Sequence, residues 1–125
     1  MKPLLQKRLV KFSARIVERE RALKPGFASR HLYMQIVRSA TSSALNYGEA
    51  QMAETKKDFI HKIGLVVKEL KETEVNLEII FESNLFKDED AVSDSLKECK
   101  ELIAIFTATR KTAMLNLEKD RECSM

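Results

Sequence analysis

The chain contains few of the residues that interrupt helices or cross-link loops. Its 125 residues include three Gly, two Pro and two Cys, and there is no Trp. Charged residues make up 33% and alternate with apolar positions at helical spacing, which excludes a disordered or sheet-rich chain and favours an all-α protein. The two cysteines form neither a disulfide framework nor a metal-ligand pattern. We expect Cys99 to lie in the core and Cys123 to be a free thiol near the C-terminus.

Long apolar runs are also absent. No segment approaches the roughly 20 apolar residues that a membrane-spanning helix needs. The first eight residues are interrupted by charge too early to resemble a signal peptide. At this length the chain suits one domain with its own core. We therefore expect a cytoplasmic protein that does not associate with membranes.

Catalytic and cofactor-binding patterns are missing as well. His31 and His61 stand alone, without a second ligand at helical spacing. Ser42 and Ser43 lack both a nearby His base and the glycine pattern of a nucleophile elbow. No glycine-rich phosphate loop occurs. The sequence therefore predicts no catalytic residue, no cofactor, no metal site and no enzyme activity.

The apolar spacing predicts four amphipathic helices. Lys24-Pro25-Gly26 breaks the first from the second, Ser29 is the expected N-cap of the second, and Thr55 with Asp58 resembles a capping box for the third. Short connectors favour antiparallel neighbours. We predict an antiparallel up-down-up-down four-helix bundle over residues 1–116, followed by a polar C-terminal tail at 117–125. The predicted helices cover about residues 3–23, 29–48, 56–84 and 89–116.

The third helix has a heptad-like apolar seam that a glutamate interrupts. Additional apolar residues widen the stripe beyond what one neighbouring helix would cover, which indicates contact with another subunit. The glutamate needs a partner inside the bundle. The predicted seam consists of Ile60, Ile63, Val67, Leu70, Glu74, Leu77 and Phe81.

The segment Gln35–Glu49 combines small residues with a polar stripe. Six consecutive small side chains, 39–44, would let another helix approach closely. We predict an interhelical polar network that fixes helix register, because a buried polar group left unpaired costs about 1–3 kcal/mol. A ligand or nucleic-acid site is the alternative. The network residues are Arg38, Ser42, Asn46, Glu49, Glu72 and Glu74.

Positive charge is concentrated at the N-terminus. The chain carries a net charge of +3, yet its first 24 residues hold eight Lys and Arg against two Glu. A phosphate backbone would attract such a flank, and since no aromatic side chains are interleaved with it, binding would be independent of base sequence. Solvated surface charge is the alternative. The candidate nucleic-acid-binding residues are Arg8, Lys11, Arg15 and Arg19.

Three groups of residues carry a family resemblance that spans about residues 5–115. They resemble the bacterial four-helix-bundle proteins encoded in intervening sequences of large-subunit ribosomal RNA genes, which are often labelled a small-subunit ribosomal protein. This chain departs from the pattern at 46–50, where Asn-Tyr-Gly-Glu-Ala replaces Asn-Ile-Ala-Glu-Gly, and at 68–69, where Lys-Glu replaces a Gly-Ser pair. The matching groups are Gln35, Arg38, Ala40, Ser42, Asn46 and Glu49, then Asp58-Phe59-Ile60, then Leu70, Glu72, Glu74 and Leu77.

The resemblance implies an up-down bundle that assembles as a homo-oligomer, specifically a pentameric ring. A more distant relative, the accessory protein of diversity-generating retroelements, binds nucleic acid and a reverse transcriptase. Together with the basic first helix, this predicts a non-enzymatic oligomeric scaffold that binds RNA or DNA. The alternative is a protein-interaction or structural oligomer that serves as accessory subunit to a nucleic-acid enzyme such as a reverse transcriptase.

Overall fold

The computed structural model describes residues 2–124, which form four α-helices joined by short connectors. A 3-10 turn, Arg19–Ala22, follows the first helix. The predicted bundle begins at Met1 and the predicted tail ends at Met125, and these two residues lie outside the described part of the chain. The helices are α1 (Lys2–Glu18), α2 (Phe27–Gln51), α3 (Lys56–Glu82) and α4 (Glu89–Ser124).

Consecutive helices pack side by side, and α1 also contacts α4. Neighbouring helices run in opposite directions, because Gln51 at the end of α2 donates to Gln6 early in α1, and Lys56 at the start of α3 pairs with Asp120 near the end of α4. Contacts nearer the middle of the helices agree with this. The Ser13 hydroxyl of α1 donates to the Ala40 carbonyl of α2 at 3.0 Å, and the Cys99 thiol of α4 donates to the Leu70 carbonyl of α3 at 3.2 Å. The predicted all-α, antiparallel up-down-up-down four-helix bundle is confirmed, and residues 2–124 contain no β-strand.

The core draws apolar side chains from all four helices. The Tyr47 and Phe106 rings meet edge to face with centroids 5.0 Å apart, which joins α2 to α4 across the bundle. Each fully buried aliphatic or aromatic side chain contributes about 1.5–3 kcal/mol. The fully buried side chains include Leu9, Ile16, Ile36, Ile63, Val66, Leu70, Leu77, Ile80, Leu102 and Phe106.

Two connectors at the same end of the bundle are hydrogen-bonded to each other. The Lys24 amide donates to the Leu85 carbonyl and the Lys87 amide donates to the Ala22 carbonyl, each at 2.7 Å. These two bonds pair the backbone of the α1–α2 connector with that of the α3–α4 connector. The two helical hairpins are therefore fixed relative to one another at this end.

The helix starts agree with the sequence at α3 and differ at α2. The Thr55 hydroxyl accepts a hydrogen bond from the Asp58 amide at 3.0 Å, so the predicted cap is confirmed. Ser29 is not the N-cap of α2; it is buried within the first turn, and the helix begins at Phe27. Gly26, with φ of 143°, permits the turn into the helix two residues earlier than predicted.

The helix ends also differ from the predicted ones. The α-helical geometry of α1 stops at Glu18, and α3 stops at Glu82 just before Asn84, whose φ of 54° is left-handed. By contrast α4 continues to Ser124, so residues 117–124 are helical and do not form a separate tail. No Gly or Pro lies within α4 to end it, and Asp120 forms an ion pair with Lys56 of α3.

The buried seam of α3 is shifted relative to the predicted one. Val66, Thr73 and Ile80 are buried, whereas the predicted Glu74 is only half-buried and Phe81 is exposed. Both sets of positions repeat every three and four residues, and the neighbouring helices select between them. Thr73 can occupy the core because its hydroxyl donates to the Glu69 carbonyl at 2.9 Å. The bundle therefore does not bury a glutamate in this seam.

Candidate functional site

Arg8, the first of the four predicted nucleic-acid-binding residues, is bound to α4. Its Nε and Nη2 atoms donate to the two carboxylate oxygens of Glu98, each at 2.8 Å, and Nη2 also donates to Glu101 at 3.3 Å. Hydrogen bonding to Glu98 raises the pKa of Arg8 above its usual range. About a third of the side chain is exposed. Its charge is therefore compensated within the bundle.

Arg19, which follows the last residue of α1, is also bound to α4. Its Nη1 atom donates to the Ala91 carbonyl and to the Ser95 hydroxyl. The side chain is half-buried and Ser95 is buried, so this guanidinium fastens the 3-10 turn to the start of α4. Two of the four predicted residues thus serve helix packing.

Lys11 and Arg15 remain exposed, and Lys7 joins them. The three side chains are spaced four residues apart, so they follow one face of α1 at intervals of about 6 Å. Across residues 2–124, none of the three forms an ion pair or a side-chain hydrogen bond. We call Lys7, Lys11 and Arg15 the outward basic row. The sequence prediction omitted Lys7, although its position four residues before Lys11 carries the signal.

The predicted polar network divides into separate contacts. Arg38 donates to Glu72 at 2.8 Å and to Glu69 at 3.2 Å, which links α2 to α3. Glu49 pairs instead with Lys62 of α3 at 2.7 Å. Lys62 and Glu69 were not predicted. They flank the apolar seam of α3, and they face α2 because the buried seam is shifted from the predicted one.

The remaining network residues do not join these pairs. The Asn46 side-chain amide donates to the backbone carbonyl of Ser42, four residues earlier in its own helix, at 2.9 Å. In the described part of the chain, no hydrogen bond or ion pair connects Glu74 with the other five predicted residues. The Arg38 side chain is 59% exposed, so its contacts lie at the surface of the α2–α3 interface.

Small hydroxyl residues form the buried polar contacts that the sequence did not identify. The Ser39 and Thr73 hydroxyl oxygens lie 2.6 Å apart and share a hydrogen bond across α2 and α3. Ser43 donates to the Ala40 carbonyl at 2.6 Å, within α2. Because their hydroxyls are satisfied locally, Ser39 and Ser43 can be buried, whereas other residues of the segment, such as Ser42, are half-buried. Its role in the structure is close helix packing.

The histidines and acidic residues do not assemble into a metal-binding cluster within residues 2–124. His31 is exposed and its ring stacks on Phe27 with centroids 6.0 Å apart. His61 is also exposed. Among the same residues, no helix is both long enough and apolar enough to cross a bilayer.

The described residues place this protein in the class of antiparallel four-helix bundles. The chain belongs to the 23S rRNA-intervening sequence protein family, whose model matches residues 5–108. It is also similar to a solved structure from Bacteroides thetaiotaomicron, described as a protein with unknown function from the S23 ribosomal protein family. That match has 26% identity and a TM-score of 0.75, and it covers 89% of this chain and 99% of the other. No curated protein matches the chain.

Proposed function

We propose that this protein is a non-enzymatic, self-associating scaffold that binds the phosphate backbone of RNA or DNA through the outward basic row. The observation that carries the proposal is the placement of Lys7, Lys11 and Arg15, which are exposed at successive turns of one helix face. Cations so placed can contact successive phosphates and release condensed counterions. The adjacent Arg8 and Arg19 hold α1 against α4 and so keep the row on a rigid element.

Self-association would strengthen such binding without new contacts. Three cations on one subunit bind weakly at physiological salt, but linked copies of the row raise the effective concentration for the second and later contacts. The family resemblance implies a ring of five. Exposed apolar side chains support assembly, since Phe27 and Met52 are 77% and 83% exposed.

A groove between α3 and α4 supports the second candidate function, an accessory subunit to a nucleic-acid enzyme such as a reverse transcriptase. Its apolar lining includes Ile60, Val67, Met114 and Leu115, of which the last two are about half exposed. Its rim carries cations that would suit an acidic amphipathic helix of another protein. The exposed cations are Lys57, Lys111 and Arg121, and Glu118 also lines the groove. Arg110 is half-buried and donates to the Ile60 carbonyl at 3.3 Å.

Salt-dependent binding tests the first candidate. The association constant for fluorescently labelled duplex DNA of two unrelated sequences would be measured from 50 to 300 mM salt. Log K should fall against log salt concentration with a slope of about −0.9 for each phosphate contacted, or about −3 per bound subunit. The two sequences should bind alike. Binding that ignores salt, or that requires one sequence, contradicts the proposal.

Sedimentation velocity tests the self-association. The protein at micromolar concentration should sediment as an oligomer. A monomer throughout this concentration range contradicts the scaffold. An oligomer that fails to bind either RNA or DNA would favour the accessory-subunit candidate.

A further inference from the structure

The outward face of α2 and its C-cap residue Met52 carry the most exposed large apolar side chains among residues 4–124. Met52 is 83% exposed, Phe27 77%, Met34 72% and Leu45 68%. The opposite face of the same helix is buried against α1, α3 and α4 through residues such as Ile36, Ala40 and Tyr47. A helix that exposes large apolar side chains opposite its buried face can remove them from water by packing against a second helix.

These side chains follow coiled-coil spacing. Together with four intervening positions they form a series in which the steps alternate between four and three residues, from the first residue of α2 to the C-cap that follows its last. That spacing produces knobs-into-holes packing against a second helix. We call this series the outer seam. It consists of Phe27, His31, Met34, Arg38, Thr41, Leu45, Gly48 and Met52.

The outer seam is symmetric about its own midpoint. When a second copy of the helix is laid alongside in the opposite direction, Phe27 faces Met52 of the partner subunit, and Met34 faces Leu45 of the partner subunit. Every large apolar side chain of the seam then meets another. The two-fold symmetry repeats each contact, so one patch serves both subunits.

The polar positions of the seam also favour the antiparallel direction. Arg38 faces Thr41 of the partner subunit, whereas a parallel pairing would place two Arg38 side chains directly opposite each other. The charge of Arg38 is already compensated by Glu69 and Glu72 of its own subunit. The seam therefore carries no uncompensated charge into the contact.

Gly48 supplies a further sign of complementarity. Within the subunit, a Cβ at this position would meet only Gln6 Oε1, at an ordinary 3.7 Å, so internal packing does not demand glycine. Glycine weakens a helix interior. In the antiparallel register, Gly48 faces His31 of the partner subunit, and the missing side chain leaves room for the imidazole.

We propose that α2 binds α2 of a second copy in this antiparallel register, through an isologous contact with Met34 opposite Leu45 of the partner subunit. This inference rests on the proposed self-association and names one contact within it, a two-fold pair of subunits. A ring of five requires two different patches on each subunit, so the α2 contact by itself produces a pair of subunits.

A charge-exchange experiment tests the register. Met34→Lys and Leu45→Glu are prepared separately. In the two-fold pair each substitution occurs twice, so each variant places two charges opposite apolar side chains. Each variant alone should raise the dissociation constant at least 10-fold. An equimolar mixture should recover association, with one subunit of each variant in every pair. At one of the two symmetry-related positions the introduced lysine then meets the introduced glutamate, and at the other the unchanged Met34 meets the unchanged Leu45. Val75→Lys on α3, 53% exposed and outside the seam, is the matched control and should leave association unchanged.

The measurements are sedimentation velocity for association and circular dichroism with thermal unfolding for the fold of each subunit. Dissociation of both single variants with recovery in the mixture supports the inference. Oligomers that persist in both variants, or dissociation without recovery on mixing, overturns the α2 contact while the proposed scaffold stands. A wild-type protein that is monomeric overturns both.

Discussion

The Arg8 guanidinium and the Glu98 carboxylate meet in a two-pronged contact between α1 and α4, with both hydrogen bonds at 2.8 Å. The two helices share the least extensive interface of the neighbouring pairs, so this contact helps to close the bundle. The side chains are 34% and 25% exposed, which shields the pair from part of the solvent screening that weakens surface ion pairs. Arg8, which the sequence predicts as a nucleic-acid ligand, therefore forms an interhelical contact in the structure.

The Arg8–Glu98 contact should appear as a coupling energy. A double-mutant cycle with Arg8→Met and Glu98→Gln is expected to give about 1 kcal/mol, measured by urea unfolding. The control Lys11→Met removes an exposed cation of the same helix and should leave the urea midpoint unchanged. Additive single mutants, with no coupling, would contradict the structural role.

The buried small residues of α2 should not tolerate enlargement. Ala40 is fully buried, so Ala40→Leu forces extra methyl groups into a packed interface and should lower the free energy of unfolding by about 2 kcal/mol or more. Ala28→Leu, on the exposed start of the same helix, is the matched control and should be close to neutral. Equal unfolding midpoints for the two variants would show that the close approach of the helices is not needed.

The Tyr33 hydroxyl should contribute nothing favourable to folding. It is buried and has no hydrogen-bond partner among the described residues, and burial raises the pKa of Tyr33 above its usual range. The ring packs edge to face against Phe86 with centroids 5.7 Å apart, and Tyr33→Phe keeps that contact. Because an unpaired buried hydroxyl costs about 1–3 kcal/mol, the variant should be as stable as the wild type or more stable. A thermal midpoint several degrees lower than that of the wild type would contradict the geometry.

Cys99 should make the protein less stable at high pH. Burial, with the Glu74 carboxylate as a second cause, raises the pKa of the Cys99 thiol to about 12 from an ordinary value of 9.0. The folded thiol keeps its proton over this range while the unfolded thiol loses it, so the free energy of unfolding falls as pH rises. The slope should approach about 1.4 kcal/mol per pH unit between the two pKa values.

Comparison with Cys99→Ala isolates this effect. The variant should lose the part of the alkaline slope that Cys99 supplies, although its cavity lowers stability at every pH. In the native wild type, a thiol reagent at pH 8 should modify the exposed Cys123 and spare Cys99. Parallel pH profiles for the two proteins, or rapid modification of both thiols, would be inconsistent with a buried, protonated Cys99.

The bundle could be predicted from the sequence because the pattern that specifies each helix lies within that helix's own segment. Apolar residues such as Leu9, Phe12 and Ile16 recur at helical spacing within each segment, and short connectors leave antiparallel packing as the simple arrangement. The phase of the α3 seam could not be obtained in this way. Val66 and Thr73 follow the same rhythm as Val67 and Glu74, and only the packed neighbours decide which pair is buried.

The candidate site was predictable in part for a related reason. The spacing of Lys11 and Arg15 on one helix face is visible in the sequence, and both are exposed. The partners of Arg8 and Arg19 lie 90 and 76 residues away, at Glu98 and Ser95. Such distant pairings depend on how α1 and α4 pack, so the helical pattern alone cannot separate a structural arginine from an available one.

Charge reversal of the outward basic row tests the proposed nucleic-acid binding most directly. A Lys7→Glu, Lys11→Glu, Arg15→Glu variant is compared with a Lys68→Glu, Lys71→Glu, Lys87→Glu control, which changes the net charge equally at exposed sites on α3 and its following connector. The quantity measured is the affinity for duplex DNA and single-stranded RNA as a function of salt. We predict at least a 10-fold loss and a salt slope reduced by about 3 for the row variant, with the control close to wild type. Equal losses in the two variants, or full affinity in the row variant, would contradict the proposal.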